Sequence, residues 1–164
     1  MKLNLKLFTC LCLCVLCFFN FSCKNNKPLF QKVSSSSSGI TFNNTITEND
    51  SVNPIDLENI YNGGGVGIGD FNNDGLPDIY FTGNQVPNKL YINKGNFKFQ
   101  DVTAEAKVEG EGRWSRGVSV IDINNDGWLD IYVSETLKKD PQQNANLLYI
   151  NRGADKKGIP HFEE

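Results

Sequence analysis

The sequence predicts an all-β fold built from repeated four-stranded units, and three observations support this prediction. The sixteen residues Gly65–Tyr80 recur 52 positions later as Gly117–Tyr132, with ten identities. Each repeat unit contains short segments rich in β-branched and aromatic residues, a composition that is typical of strands. The 164-residue chain also contains 21 asparagines and 15 glycines, which favour turns over long helices. An ordinary helical bundle is therefore excluded.

Each repeat is expected to fold as one small sheet. In the first unit we expect strands at 65–71, 78–82, 89–93 and 96–102, with a helical turn at 104–108. A second match, Leu90–Gly95 with Leu148–Gly153, extends the repeat to the third strand. Four-stranded sheets with a period of 50–60 residues are typical of the blades of a β-propeller. The Gly63–Gly65 run fits a crowded innermost strand, with a flexible hinge as the alternative. We place blade 1 at 63–108 and blade 2, with a shortened outer strand, at 109–164.

The first 22 residues are interpreted as a signal peptide. Lys2 and Lys6 precede an apolar run at 7–21, which is too short to cross a membrane as a helix. The run ending Ser22–Cys23 resembles a bacterial lipobox, and the resemblance implies cleavage before Cys23 and lipidation of Cys23. The alternative is an ordinary secretory peptide in which Cys23 is incidental. If Cys23 is lipidated, the mature chain keeps no free thiol, because the other four cysteines lie in the removed segment.

Residues 23–62 are expected to form a polar tether and an N-terminal segment. Lys24–Pro28 has nothing to bury and indicates a flexible spacer, and the five-serine run Ser34–Ser38 follows it. Phe30–Ser34 is similar to Phe99–Thr103, the outer strand of the first unit. We therefore expect Leu29–Val33 to be a ring-closing strand for a blade that this chain does not contain. A closed propeller needs at least four blades, so we expect the sequence to be a fragment of a longer protein; a short natural variant that assembles with others is the alternative.

The chemistry-bearing motif occurs twice, in the turn between the first two strands of each unit. Residues 70–78 and 122–130 both fit D-x-[DN]-x-[DN]-G-x-x-D. Oxygens at positions 1, 3, 5 and 9 and the carbonyl at position 7 can converge on one ion, and the glycine at position 6 permits the sharp bend. The candidate ligands are Asp70, Asn72, Asp74, the Leu76 carbonyl and Asp78 in the first loop, and Asp122, Asn124, Asp126, the Trp128 carbonyl and Asp130 in the second.

The ligand type predicts two calcium sites. All ten donors are hard oxygens, which favours Ca²⁺ over zinc or copper, with Mg²⁺ second because it demands stricter octahedral geometry. The loops are not EF-hands, because Phe81 and Val133 stand where that loop needs a bidentate glutamate. An asparagine-rich turn that binds nothing is the alternative, and the double occurrence argues against it.

The run Gly69–Asp78 resembles an FG-GAP or VCBS repeat, the unit of integrin-α-type propellers. The longer stretch from Tyr61 to Thr103 resembles surface lipoproteins related to cartilage acidic protein, in which an ASPIC/UnbV domain often follows. The resemblance implies a calcium-stabilised seven-bladed propeller for adhesion or ligand binding, anchored in the outer membrane of a Gram-negative bacterium. It assigns the metal ligands to the same ten positions.

Composition narrows the function classes. The net charge of −3 argues against a nucleic-acid binder. The single histidine, His161, offers no partner for a Ser/His/Asp set, so we expect no enzyme activity. Arg113 and Arg116 beside Trp114 could contact an anionic ligand, although a solvated strand entrance is favoured. We expect a non-catalytic cell-surface module that binds an unidentified extracellular protein or glycan. The alternative is the propeller part of an exported enzyme, such as a polysaccharide lyase, with its catalytic residues elsewhere.

Overall fold

The structure is a computed structural model that describes residues 28–137 and 144–164. The described residues from Val33 onward belong to one compact unit, Val33–Glu164. The predicted signal peptide and Cys23 lie outside the described residues. Residues 28–34 form neither helix nor strand, so Leu29–Val33 is not a strand here, and its pairing in a closed ring stays a prediction.

The first sheet contains four antiparallel strands in chain order. They are β1 (Val66–Gly69), β2 (Asp78–Phe81), β3 (Lys89–Asn93) and β4 (Phe99–Asp101). The helices are single turns, α1 (Ser35–Ser38) before the sheet and α2 (Thr103–Ala106) after it, the second close to the expected helical turn. No helix in the described ranges is long and apolar enough to cross a membrane.

The second sheet repeats this order. Its strands are β5 (Ser115–Ile121), β6 (Asp130–Glu135), β7 (Leu147–Ala154) and β8 (Pro160–Glu163). Neighbouring strands are antiparallel throughout. The predicted all-β fold with two four-stranded, blade-like sheets is therefore confirmed.

The core lies between the two sheets. One continuous cluster of buried side chains includes Tyr80, Leu90 and Val102 from the first repeat and Ile131, Val133 and Tyr149 from the second. Glycines in β1 and just before it allow the two sheets to lie close together. A Cβ atom at Gly67 would lie 2.7 Å from Val120 Cγ2, and one at Gly65 would lie 2.8 Å from the Arg116 carbonyl oxygen. Close packing thus explains these glycines, whereas Gly63 has open space around it and a φ of +78°, as in a turn.

The repeated tyrosines show which faces of the sheets are covered. Tyr80, Tyr91 and Tyr149 are buried, as expected for residues that pack a blade. Tyr132, the repeat equivalent of Tyr80, is 39% exposed. It pairs with the exposed Ser119, on the face of the second sheet opposite to buried Ile131 and Val133. The tyrosine at this repeat position is therefore buried only in the first sheet, where the other sheet covers it.

Candidate metal centre

The two acidic motifs occupy equivalent loops. The first loop (70–78) joins β1 to β2, and the second loop (122–130) joins β5 to β6. Strand pairing sets Gly69 opposite Asp78 and Ile121 opposite Asp130. Because the sheet holds both ends of each loop side by side, positions 1 and 9 of the motif are brought together in both copies.

The aspartate at position 1 organises each loop from inside. Asp70 accepts backbone N–H groups from Asp74 at 3.0 Å and Gly75 at 2.7 Å, one on each carboxylate oxygen. Asp122 makes the same two bonds in the second loop, at 3.0 and 2.8 Å. An aspartate that bonds to N–H groups a few residues further on stabilises a tight turn. Position 1 thus curls the chain around its own carboxylate.

Positions 3 and 5 continue the pattern. Asn72 Oδ1 accepts the Asp74 N–H at 3.2 Å, and Asp74 Oδ1 accepts the Leu76 N–H at 2.9 Å. The second loop repeats both bonds, with Asn124 accepting the Asp126 N–H and Asp126 accepting the Trp128 N–H. The side chains at positions 1, 3 and 5 therefore make the same hydrogen-bond pattern in both loops, and position 7 takes part through its N–H.

In each loop, residues in the left-handed backbone conformation at positions 4 and 6 complete the sharp bend. Asn73 and Gly75 have φ values of +55° and +85°, and Asn125 and Gly127 have values of +60° and +88°. A Cβ atom on either glycine would meet nothing within 4 Å, so the positive φ is what requires glycine at position 6.

The aspartate at position 9 ties each loop to the third strand of its sheet. Asp78 and Asp130 are fully buried. Asp78 accepts the N–H groups of Phe71 at 2.9 Å and Asn93 at 2.8 Å. Asp130 accepts those of Ile123 at 2.9 Å and Asn151 at 2.7 Å. Each carboxylate therefore joins position 2 of its own loop to β3 or β7.

The electrostatics of the first loop favour an added cation. Burial raises the pKa of Asp78 to about 6, against the lowering effect of the Asn93 and Phe71 N–H groups. The charges of Asp74 and Asp70 raise the pKa of Asp78 further. The three carboxylates therefore act on one another, and a bound divalent cation would relieve that repulsion.

The segment that contains both loops is similar to a known family. Residues 70–133 match the model of the FG-GAP-like repeat family, and this match includes both acidic loops. The chain is also 36% identical to cartilage acidic protein 1 of Xenopus tropicalis over 74 residues, and 38% identical to the proteins of that name from Mus musculus and Homo sapiens over 69 and 72 residues. These segments make up 42–44% of this chain, but the chain spans only 11% of the length of each relative.

The types of donor in the two loops are those that calcium binds. Each loop offers three carboxylates, an amide oxygen and a backbone carbonyl, which are the ligands that Ca²⁺ takes in flexible loops. Within residues 28–137 and 144–164, no group of three or more acidic, histidine or cysteine side chains lies close enough together to hold a metal ion. The ten assigned ligands therefore stay a prediction, based on donor type and loop geometry.

Sequence reasoning missed the asparagine that follows each loop in the third strand. Asn93 and Asn151 donate their backbone N–H to the position-9 aspartates, and both side chains are hydrogen bonded to backbone groups. Their signal was present, because both stand in the recurring run Leu-Tyr-Ile-Asn. They were overlooked because neither belongs to the acidic motif.

Other candidate residues lie outside the loops. Trp114 is buried, and Arg116 donates to the Asn59 carbonyl at 3.1 Å. Arg113 donates to the Ala145 carbonyl at 2.8 Å and pairs with Glu164. The aromatic ring is thus part of the interior, and both arginines make contacts within the chain. His161 is exposed and lies within β8.

The raised pKa of Asp78 predicts a pH-dependent stability. The value is about 6 in the folded chain and 3.8 ordinarily, so the folded state holds this proton more tightly than the unfolded state. The contribution of Asp78 to stability is therefore greatest below pH 4 and is lost as the pH rises through 6, by up to about 3 kcal/mol. Chemical denaturation in chelator at pH 4 to 7, compared with Asp78→Asn, isolates this residue. A difference between wild type and variant that does not change with pH would contradict the prediction.

Proposed function

We propose that this chain is a calcium-binding, non-catalytic binding or adhesion module of an exported lipoprotein. One observation carries the proposal: two loops of identical motif repeat the same hydrogen bonds at positions 1, 3, 5 and 9. The match to the FG-GAP-like repeat supports a propeller or adhesion type of module. An extracellular protein or glycan is the proposed partner.

Calcium has a structural role in this proposal. The ligands would be Asp70, Asn72, Asp74, the Leu76 carbonyl and Asp78 in the first loop, and Asp122, Asn124, Asp126, the Trp128 carbonyl and Asp130 in the second. The ion supplies positive charge where the carboxylates of one loop repel one another. The protein's own contribution is to hold the loop ends together through strand pairing and through the position-9 aspartate. A rigid loop end of this kind would support a binding surface on the neighbouring loops.

The first test is calcium-dependent stability. Extracellular calcium modules bind with Kd on the order of 10⁻⁴ to 10⁻³ M. At 10 mM calcium, which is about ten- to a hundredfold above such a Kd, linkage adds about 1.4 to 2.7 kcal/mol per site to the free energy of unfolding. We expect thermal unfolding to shift upward by several degrees in 10 mM Ca²⁺, and by less in 10 mM Mg²⁺.

Asp74→Ala supplies the matched variant for this test. Asp74 is exposed, and its loss should remove the first site while the second site keeps its own ligands. The part of the calcium-dependent stabilisation that comes from the second site should therefore remain. If the wild-type chain unfolds at the same temperature in calcium and in chelator, the proposal is refuted.

The membrane anchor is proposed to be lipid on Cys23, with the outer membrane as the location. The support is the lipobox-like run before Cys23 in the sequence. Replacing Cys23 with serine should abolish incorporation of labelled fatty acid and release the chain from membranes. Equal labelling of wild type and variant would exclude lipidation at this residue.

A further inference from the structure

Asn151 is the one described side chain that bonds to backbone of both acidic loops. It is fully buried in β7, and its amide Oδ1 accepts the Gly153 N–H at 2.9 Å. Its Nδ2 donates to the Leu129 carbonyl at 3.1 Å, next to position 9 of the second loop. The same Nδ2 donates to the Phe71 carbonyl at 2.8 Å, at position 2 of the first loop. Because its backbone N–H also binds Asp130, Asn151 joins the two loops directly.

The repeat supplies an internal reference for this role. Asn93, in β3, makes three equivalent bonds: its N–H to Asp78, its Oδ1 with the Gly95 N–H, and its Nδ2 to the Pro77 carbonyl at 2.9 Å. All three lie within the first sheet. The bond to Phe71 of the other loop is therefore what distinguishes Asn151 from Asn93.

Two further bonds connect the first loop to the second sheet. Asn73 donates to the Gly127 carbonyl at 3.2 Å, so that position 4 of one loop contacts position 6 of the other. Asn72, a candidate ligand, donates to the Gly158 carbonyl at 3.0 Å in the turn between β7 and β8. The first loop is thus held at positions 2, 3 and 4 by groups of the second sheet.

We propose that Asn151 is a positioning residue that couples the two calcium loops, so that an ion in one loop raises the affinity of the other. The proposal rests on the calcium binding proposed above. An ion in the second loop would fix Leu129 and Asp130, and through Asn151 it would fix Phe71. The first loop would then lose less conformational freedom when its own ion binds, which is positive cooperativity. By linkage the effect is reciprocal, and a coupling of about fivefold is at the lower end of common values.

Calorimetric titration with Ca²⁺ alone tests the coupling. Wild type should bind two ions, with the second bound more tightly than two independent equal sites would allow. Asp126→Ala removes an exposed ligand of the second loop without touching Asn151. After correction for the statistical factor of two equal sites, the remaining ion should bind about fivefold more weakly than the second ion of wild type. Asp74→Ala should weaken the second loop by the same factor.

Asn151→Ala and Asn93→Ala form the matched pair. Each variant loses two side-chain bonds within its own sheet, because alanine keeps the backbone N–H, but only Asn151→Ala also loses the bond to Phe71 of the other loop. Asn151→Ala should retain two sites with a weakened coupling, since the bond from Asn73 to Gly127 remains, whereas Asn93→Ala should keep the wild-type coupling. If Asn151→Ala does not fold, the Asp126→Ala and Asp74→Ala titrations decide alone.

The outcomes separate the two proposals. Two ions that bind wild type independently, with unchanged affinity of the remaining site in Asp126→Ala, would overturn the coupling and leave calcium binding intact. Loss of coupling in Asn93→Ala to the same degree as in Asn151→Ala would overturn the role of Asn151. No binding of calcium to wild type would overturn both proposals.

Discussion

Replacing Asp130 with alanine is expected to destabilise the chain by about 3–5 kcal/mol, even without calcium. Asp130 is fully buried, and its two oxygens accept the N–H groups of Ile123 and Asn151. Alanine would leave both donors without an acceptor, and an unsatisfied buried N–H costs about 1–3 kcal/mol. A cavity of carboxylate size adds to this.

Urea denaturation in chelator measures this effect, with Asp126→Ala as the control. Asp126 belongs to the same loop and carries the same charge, but it is exposed. Its replacement should cost less than about 1 kcal/mol in the absence of metal. If Asp130→Ala were no more destabilising than Asp126→Ala, the position-9 aspartate would not be the structural anchor of the loop.

Replacing Gly65 with valine is expected to destabilise the chain by about 3 kcal/mol. A Cβ atom there would lie 2.8 Å from the Arg116 carbonyl oxygen and 3.0 Å from the Val118 nitrogen, both backbone atoms of β5. Two branches beyond that atom would force the sheets apart, and overpacking of this kind costs about 1–3 kcal/mol or more.

Gly117, the equivalent position in the second repeat, provides the control. The only close neighbour of a Cβ atom there is the Ser134 hydroxyl oxygen, at 3.0 Å. Gly117→Val should therefore cost less than about 1 kcal/mol in the same denaturation experiment. Equal losses at the two positions would mean that the glycines serve strand conformation and not the packing of one sheet on the other.

The repeat made most of the fold predictable. Gly65–Tyr80 and Gly117–Tyr132 are identical at ten of sixteen positions, so the same prediction of a strand, a loop and a second strand applied to both segments. The structure has this order in both sheets. The loop oxygens were also predictable, since the spacing of the motif determines which residues reach the inside of the turn.

Contacts between distant segments were not predictable. Residues 40–46 lie against the first sheet with alternate side chains half-buried, Phe42 stacks on Phe81 at 5.0 Å, and Asn44 bonds to Asn84. This segment lacks the turn residues and the repeat that identify the strands. Only the three-dimensional arrangement brings it to the sheet.

Differences in burial between residues at equivalent repeat positions could not be predicted from the sequence either. Tyr80 and Tyr132 occupy the same repeat position, yet only Tyr80 is buried. Asn93 and Asn151 occupy another shared position, yet only Asn151 bonds to the neighbouring loop. A repeat specifies what each sheet contains, whereas these differences depend on which face of the sheet has a neighbour.

The central claim, that the two loops are calcium sites, is tested most directly by counting bound ions. Calorimetric titration of the chain with Ca²⁺ should give two ions per chain in the range of 10⁻⁴ to 10⁻³ M. The double variant Asp74→Ala, Asp126→Ala should give none, while circular dichroism shows that its strands persist. Absence of binding to wild type at millimolar calcium, or undiminished binding to the double variant, would contradict the assignment of these loops as calcium sites.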